Sequence, residues 1–137
     1  MNNLSGYGVF EIAGEKLPFK FGVNAYALFC QYRGVDLDKI ATTGLYGEYD
    51  SDGKPTKDPD VKANIELAYF AYQTACQMKG EDTRFNLITF QEMMQEEYDV
   101  LVKLFTLNLE SKLMGRTLTE IAQDETKKKN QLNGAKS

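Results

Sequence analysis

The chain has 137 residues, of which 42% are hydrophobic and 12% aromatic, enough for one real core and too few for two comfortable domains. Its formal net charge of −4 speaks against sequence-independent nucleic-acid binding, which needs a basic face. It contains no histidine, so Ser-His-Asp and Cys-His arrangements and the Glu-x-x-His motif of di-iron bundles are all excluded.

The opening residues MNNLSGYG have neither a basic n-region nor an apolar h-region, and no secretory leader is expected. No apolar run approaches the ~18–20 residues that span a bilayer. Cys30 and Cys76 stand far apart in or beside apolar helical stripes and read as small buried hydrophobes in a reduced compartment. A cytoplasmic domain without membrane contact is the expectation.

Val9–Gly34 spells a β-hairpin followed by an amphipathic helix. Phe10 and Ile12 alternate with Val9 and Glu11, and Leu17, Phe19 and Phe21 alternate with Pro18 and Lys20, the period of half-buried strands. A two-residue turn at Gly14-Glu15 sets Ile12 opposite Leu17 and Phe10 opposite Phe19, all on one face. Pro18 cannot donate to a ladder and marks an edge strand. Asn24 is the expected cap of a helix over 24–33, with Ala25, Leu28, Phe29 and Tyr32 on one face and Gly34 as its left-handed terminator.

Asp36 then opens a single turn through Leu37 and Ile40, broken by Gly44. GLYGEYDSDGKPTKDP, from Gly44 to Pro59, reads as a long loop anchored by Leu45, Tyr46 and Tyr49. Asp58 as cap and Pro59 as first residue start a helix over 59–79 that ends at Gly80. Its broad apolar arc, Val61, Ile65, Ala68, Tyr69, Tyr72 and Cys76 beside Ala63, Leu67, Phe70, Ala71, Thr74 and Met78, places it at the centre.

Thr89-Phe90-Gln91-Glu92 is a capping box for a third long helix over 89–114, with Phe90, Met94, Tyr98, Leu101 and Phe105 as its stripe and Gly115 after it. Beyond Val100 that helix is apolar on almost every side. Thr117 and Glu120 box a short helix over 118–124, and residues 126–137 have the composition of a disordered tail. The expected fold is mainly α (α+β): an N-terminal β-hairpin packed on a bundle of about three to five helices, in one globular domain over residues 1–125.

Chemistry finds little support. Glu92, Glu96 and Asp99 share a helical face and read as a solvated acidic surface at a helix start. Asp50, Asp52, Asp58 and Asp60 with Gly53 depart from the EF-hand pattern: the glycine falls too early, Pro55 interrupts, and Val61 occupies the place of the bidentate Glu. Phosphate-binding glycine motifs are absent. Lys127–Lys129 reads as a solvated stretch of tail. No metal, cofactor or catalytic residue is expected.

Phe10-x-Ile12-x-Gly14-x-Lys16-Leu17-Pro18-Phe19-x-Phe21-Gly22-x-Asn24-Ala25, followed by an apolar helix to Gly34, resembles the opening of tail assembly chaperones of long-tailed bacteriophages. The inserted, charged loop around Asp50–Asp60 departs from that family. The resemblance implies a chaperone of phage or prophage morphogenesis that binds the tape measure protein and helps recruit tail tube subunits.

The residues themselves imply a protein that works by apolar contact, with Tyr98, Leu101, Phe105 and Leu109 on the last long helix, and Tyr69 and Tyr72 nearby, as candidate partner-binding residues. Core packing is the competing role for each. A structural tail completion or connector protein of the virion is the alternative, and a small regulatory or inhibitor protein a third. An edge strand leaves homo-oligomer formation open.

Overall fold

The structure, a computed structural model, describes residues 5–113 and 116–117. Strands β1 (Tyr7–Ile12) and β2 (Glu15–Lys20) form the antiparallel hairpin, and helix α1 (Val23–Arg33) follows. A 3-10 helix (Leu37–Thr43) leads to a second small hairpin, β3 (Glu48–Tyr49) with β4 (Pro55–Lys57). Helices α2 (Val61–Met78), α3 (Leu87–Met94) and α4 (Tyr98–Glu110) complete the bundle, and β5 (Lys112–Leu113) pairs with β6 (Arg116–Thr117). The fold is the expected α+β arrangement of a hairpin on helices.

The first hairpin turns one residue earlier than expected. Ala13 and Gly14 both take positive φ, 52° and 79°, as a type I′ turn requires. Phe10 therefore faces Leu17 and Gly8 faces Phe19, while Pro18 lies opposite Val9. Face assignment is unaffected, because moving a turn by one residue changes each pairing by two. Ile12, Leu17 and Phe19 are fully buried, and Phe10 is half-buried against them.

Helix α1 begins after Gly22, and Asn24 is no cap: its side-chain amide donates to Thr74 Oγ1 (2.8 Å) and Gln77 Oε1 (3.2 Å), tying α1 to α2. The buried stripe is Ala25, Tyr26, Phe29 and Cys30, whereas Tyr32 is exposed and lays its ring against Phe70. At the far end Gly34, with φ 72°, carries the chain into a left-handed turn whose amides return to Cys30 and Gln31 carbonyls.

The segment expected to be a loop holds the β3–β4 hairpin, organised by one acid. Asp50 Oδ1 accepts from the amides of Asp52 (3.0 Å) and Lys54 (2.9 Å), so this carboxylate builds the turn. Leu45 is fully buried and Tyr46 half-buried, but Tyr49 is exposed and anchors nothing. Helix α2 is capped by Asp60 rather than Asp58, its Oδ2 accepting from the Ala63 amide at 2.9 Å.

As expected, α2 is the central helix: the first hairpin, α1, α3 and α4 all pack on it. Phe19, Tyr72 and Phe90 make a three-ring cluster, with Tyr72 and Phe90 stacked 9° from parallel at 6.2 Å.

The expected helix over 89–114 is two. Asn86, not Thr89, caps α3 and accepts from the Thr89 amide at 2.8 Å. Gln95, Glu96 and Glu97 lie between α3 and α4, and Glu97 Oε1 accepts the Ala13 amide at the tip of the first hairpin (3.2 Å). The break puts Glu92 and Asp99 on different helices. α4 ends at Glu110, and its successor is a strand. The expected termination near Met114 and Gly115, the helix over 118–124 and the tail over 126–137 fall wholly or largely outside the described residues.

Candidate partner-binding surface

The orientation of α4 decides what the protein presents to solvent. Leu101, Leu104 and Asn108 turn inward and are buried, and Ser111, just beyond the helix, is buried with them. Tyr26 of α1 reaches this end from below. Its hydroxyl donates to Asn108 Oδ1 at 2.6 Å and lies 2.6 Å from Ser111 Oγ, which in turn donates to the Asn108 carbonyl. Burial pushes the Tyr26 hydroxyl well above the usual phenol range, while its bond to Ser111 pulls the other way. A neutral network therefore holds the C-terminal end of α4 in one rotation.

One flank of the helix is covered. Val100 and Leu107 pack on the core, and Leu107 lies against Gly8 of β1. On the opposite flank, Tyr98, Val102, Phe105 and Leu109 recur at intervals of four, three and four residues. At 3.6 residues per turn they form one stripe roughly 100° round the helix from the buried side. Tyr98 is 69% exposed, Val102 46%, and Phe105 and Leu109 are half-buried. The spacing is that of a coiled-coil seam, the pattern that receives another helix.

The six expected contact residues separate accordingly. Tyr69, Tyr72 and Leu101 belong to the core and expose little to a partner. The two tyrosines hold the approach to α3 through their polar ends: Tyr69 donates to the Phe85 carbonyl (3.0 Å), and Tyr72 accepts the Arg84 amide (2.9 Å). Tyr98, Phe105 and Leu109 lie together on the other flank, Tyr98 exposed and the other two half-buried. Val102 completes it; its signal, the 98–102–105–109 spacing, was masked by following the stripe on from Phe90.

Two other features serve the fold. Glu66, buried on α2, accepts from Arg33 Nε at 2.6 Å, and Arg33 lies 3.8 Å from Asp60 with its guanidinium over the Phe29 ring. A shallow groove of about 440 Å³ opens between the start of α1 and the end of α2, beside Lys20, Asn24, Gln77 and Met78. Its polar groups are already committed: Lys20 Nζ donates to the Phe21 carbonyl at 2.5 Å, and Asn24 serves Thr74 and Gln77. Partial burial lowers the Lys20 ammonium below its usual range.

Both cysteines are buried free thiols, pushed upward mainly by burial. Among the described residues no three His, Cys, Asp or Glu side chains are grouped to hold a metal, and no helix is long and apolar enough to cross a membrane. No protein-family model, curated protein or solved structure matches the chain.

Proposed function

We propose that this protein is a tail assembly chaperone of a long-tailed bacteriophage or prophage. It holds the tape measure protein in the host cytoplasm and aids tail tube assembly by apolar contact, with no bond made or broken. The observation that carries this reading is the partly exposed flank of α4, where Tyr98, Val102, Phe105 and Leu109 line up at the spacing of a helix-receiving seam. The hairpin-helix segment Phe10–Gly34 supplies the family resemblance.

The physics suits reversible capture. Burying a large apolar side chain fully is worth roughly 1.5–3 kcal/mol, and each of these four already has part of its surface covered. Completing their burial favours association without making release prohibitive, as a chaperone requires.

Co-expression with the tape measure protein followed by affinity capture tests this. The wild-type chain captures the partner at micromolar concentration, and Phe105→Asp weakens capture at least tenfold while keeping the thermal unfolding transition. Absence of capture removes the proposal. Loss of folding in Phe105→Asp makes that side chain part of the core and removes the surface. Retention of the protein in mature particles assigns it instead to the virion, as a completion or connector subunit.

A further inference from the structure

Beside the apolar stripe runs a second row. Asp99, Lys103, Thr106 and Glu110 recur at i, i+4, i+7 and i+11, and all four are exposed. This row lies roughly 100° beyond the stripe, on the side away from the core, and borders it along its whole length. Its signs read negative, positive, neutral, negative, and Asp99 and Glu110 are about 16 Å apart along the axis. Among the described residues, none of the three charged groups is in an ion pair.

We infer that the segment received by α4 is an amphipathic helix whose apolar stripe is bordered by the opposite charge pattern. Two Lys or Arg residues lie eleven positions apart, with an Asp or Glu four residues from one and seven from the other. The inference rests on the partner-binding reading above and specifies the chemistry of the partner. The row itself argues against a second copy as occupant. In an antiparallel pair the two rows share a side and Asp99 meets Glu110, carboxylate against carboxylate; in a parallel pair the row would have to meet the Leu101, Leu104 and Asn108 side of the other copy's helix, which that copy's own core occupies.

Exposed ion pairs each contribute little, so the pattern selects among apolar helices more than it creates affinity. Two synthetic helical peptides with the same leucine stripe, one flanked Lys–Glu–Lys and the other Glu–Lys–Glu at these spacings, are titrated against the full chain. The first is expected to bind about tenfold more tightly at low salt, with the preference lost near 1 M salt. The triple variant Asp99→Lys, Lys103→Glu, Glu110→Lys reverses the preference while its far-ultraviolet circular dichroism is unchanged.

Equal affinity for the two peptides overturns the charge pattern and leaves apolar capture standing. Failure of both peptides to bind, in a chain that still captures the tape measure protein, also overturns it and moves that contact elsewhere. Failure of tape measure capture alone removes the functional reading and leaves the peptide result intact. A dimer in light scattering that Val102→Asp dissolves assigns the stripe to a second copy, and a tenfold gain for both peptides in Ile121→Asp assigns it to the chain's own later residues. Either result overturns the inference.

Discussion

Two buried tyrosine hydroxyls in this protein have opposite circumstances, and removing each one separates what they do. Tyr26 Oη has two polar neighbours at 2.6 Å, Asn108 Oδ1 and Ser111 Oγ, whereas Tyr46 Oη is buried with no hydrogen-bond partner. Tyr26→Phe leaves Asn108 Oδ1 without its donor in a site where Asn108 Nδ2 is already unpaired. An unsatisfied buried polar atom costs about 1–3 kcal/mol, so that loss of stability is expected. Tyr46→Phe deletes a desolvated group that gains nothing from the fold, and should be neutral or stabilising by about 1 kcal/mol. The ring survives in both variants, so packing is nearly constant and the hydroxyl is what is measured. Urea unfolding followed by circular dichroism reads both effects as midpoint shifts at constant slope. Tyr26→Phe should also weaken capture by the stripe, because the network holds the rotation of α4. A cost below about 0.5 kcal/mol for Tyr26→Phe, or a clear loss of stability for Tyr46→Phe, would refute the reasoning.

The ion pair between Arg33 and Glu66 is asymmetric, with 27% of the arginine side chain exposed against 2% of the glutamate. Arg33→Met strands a buried carboxylate and should cost about 3–5 kcal/mol, whereas Glu66→Met leaves a cation that reaches water and Asp60; urea midpoints of equal shift would contradict this. Ala13 occupies a left-handed conformation at φ 52°, where asparagine is far better tolerated, and Ala13→Asn should raise stability by about 0.5–1 kcal/mol. A fall in its melting temperature would contradict a type I′ turn at that position.

What the sequence made legible follows from the ranges over which its signals act. The inward face of the first hairpin was readable although its turn was misplaced, because alternation fixes which residues share a side and not which pair meets. Alanine at the first turn position hid the true turn, since Gly14-Glu15 has the more familiar chemistry. The Gly44–Pro59 segment looked structureless because its order comes from one carboxylate folding back on two amides, a contact that no periodicity records. The break between α3 and α4 was invisible for the opposite reason. Phe90, Met94 and Leu101 continue a helical period across Gln95–Glu97, and no glycine or proline interrupts it. At the interruption the Ala13 amide of the hairpin tip donates to the Glu97 carboxylate. That break changes the phase of everything after it. Leu104 and Asn108 turn inward where Tyr98 and Phe105 were expected, while Tyr69 and Tyr72 are core for a separate reason, their place on the central helix α2.

The surplus of apolar positions after Val100 thereby acquires a geometric account. A helix at the edge of a bundle has one buried face and two flanks, and among the described residues the Val100–Leu107 flank of α4 packs on the core while Tyr98 and Val102 on the other stay exposed. Leu107 lies beside Gly8 of β1, and Leu101 and Leu104 join the common core. Were that side meant only for water, the expected residues would be those of the next row, Asp99, Lys103, Thr106 and Glu110. Instead the polar row begins one step further round, and the intervening strip keeps the spacing of a seam. Isolated exposed apolar residues are ordinary, as Val9 and Ile88 show on this same protein. Four in register along three turns of helix, bordered by charges that form no ion pair among the described residues, make a surface with an orientation and a polarity, and on this combination the proposed receiving face rests.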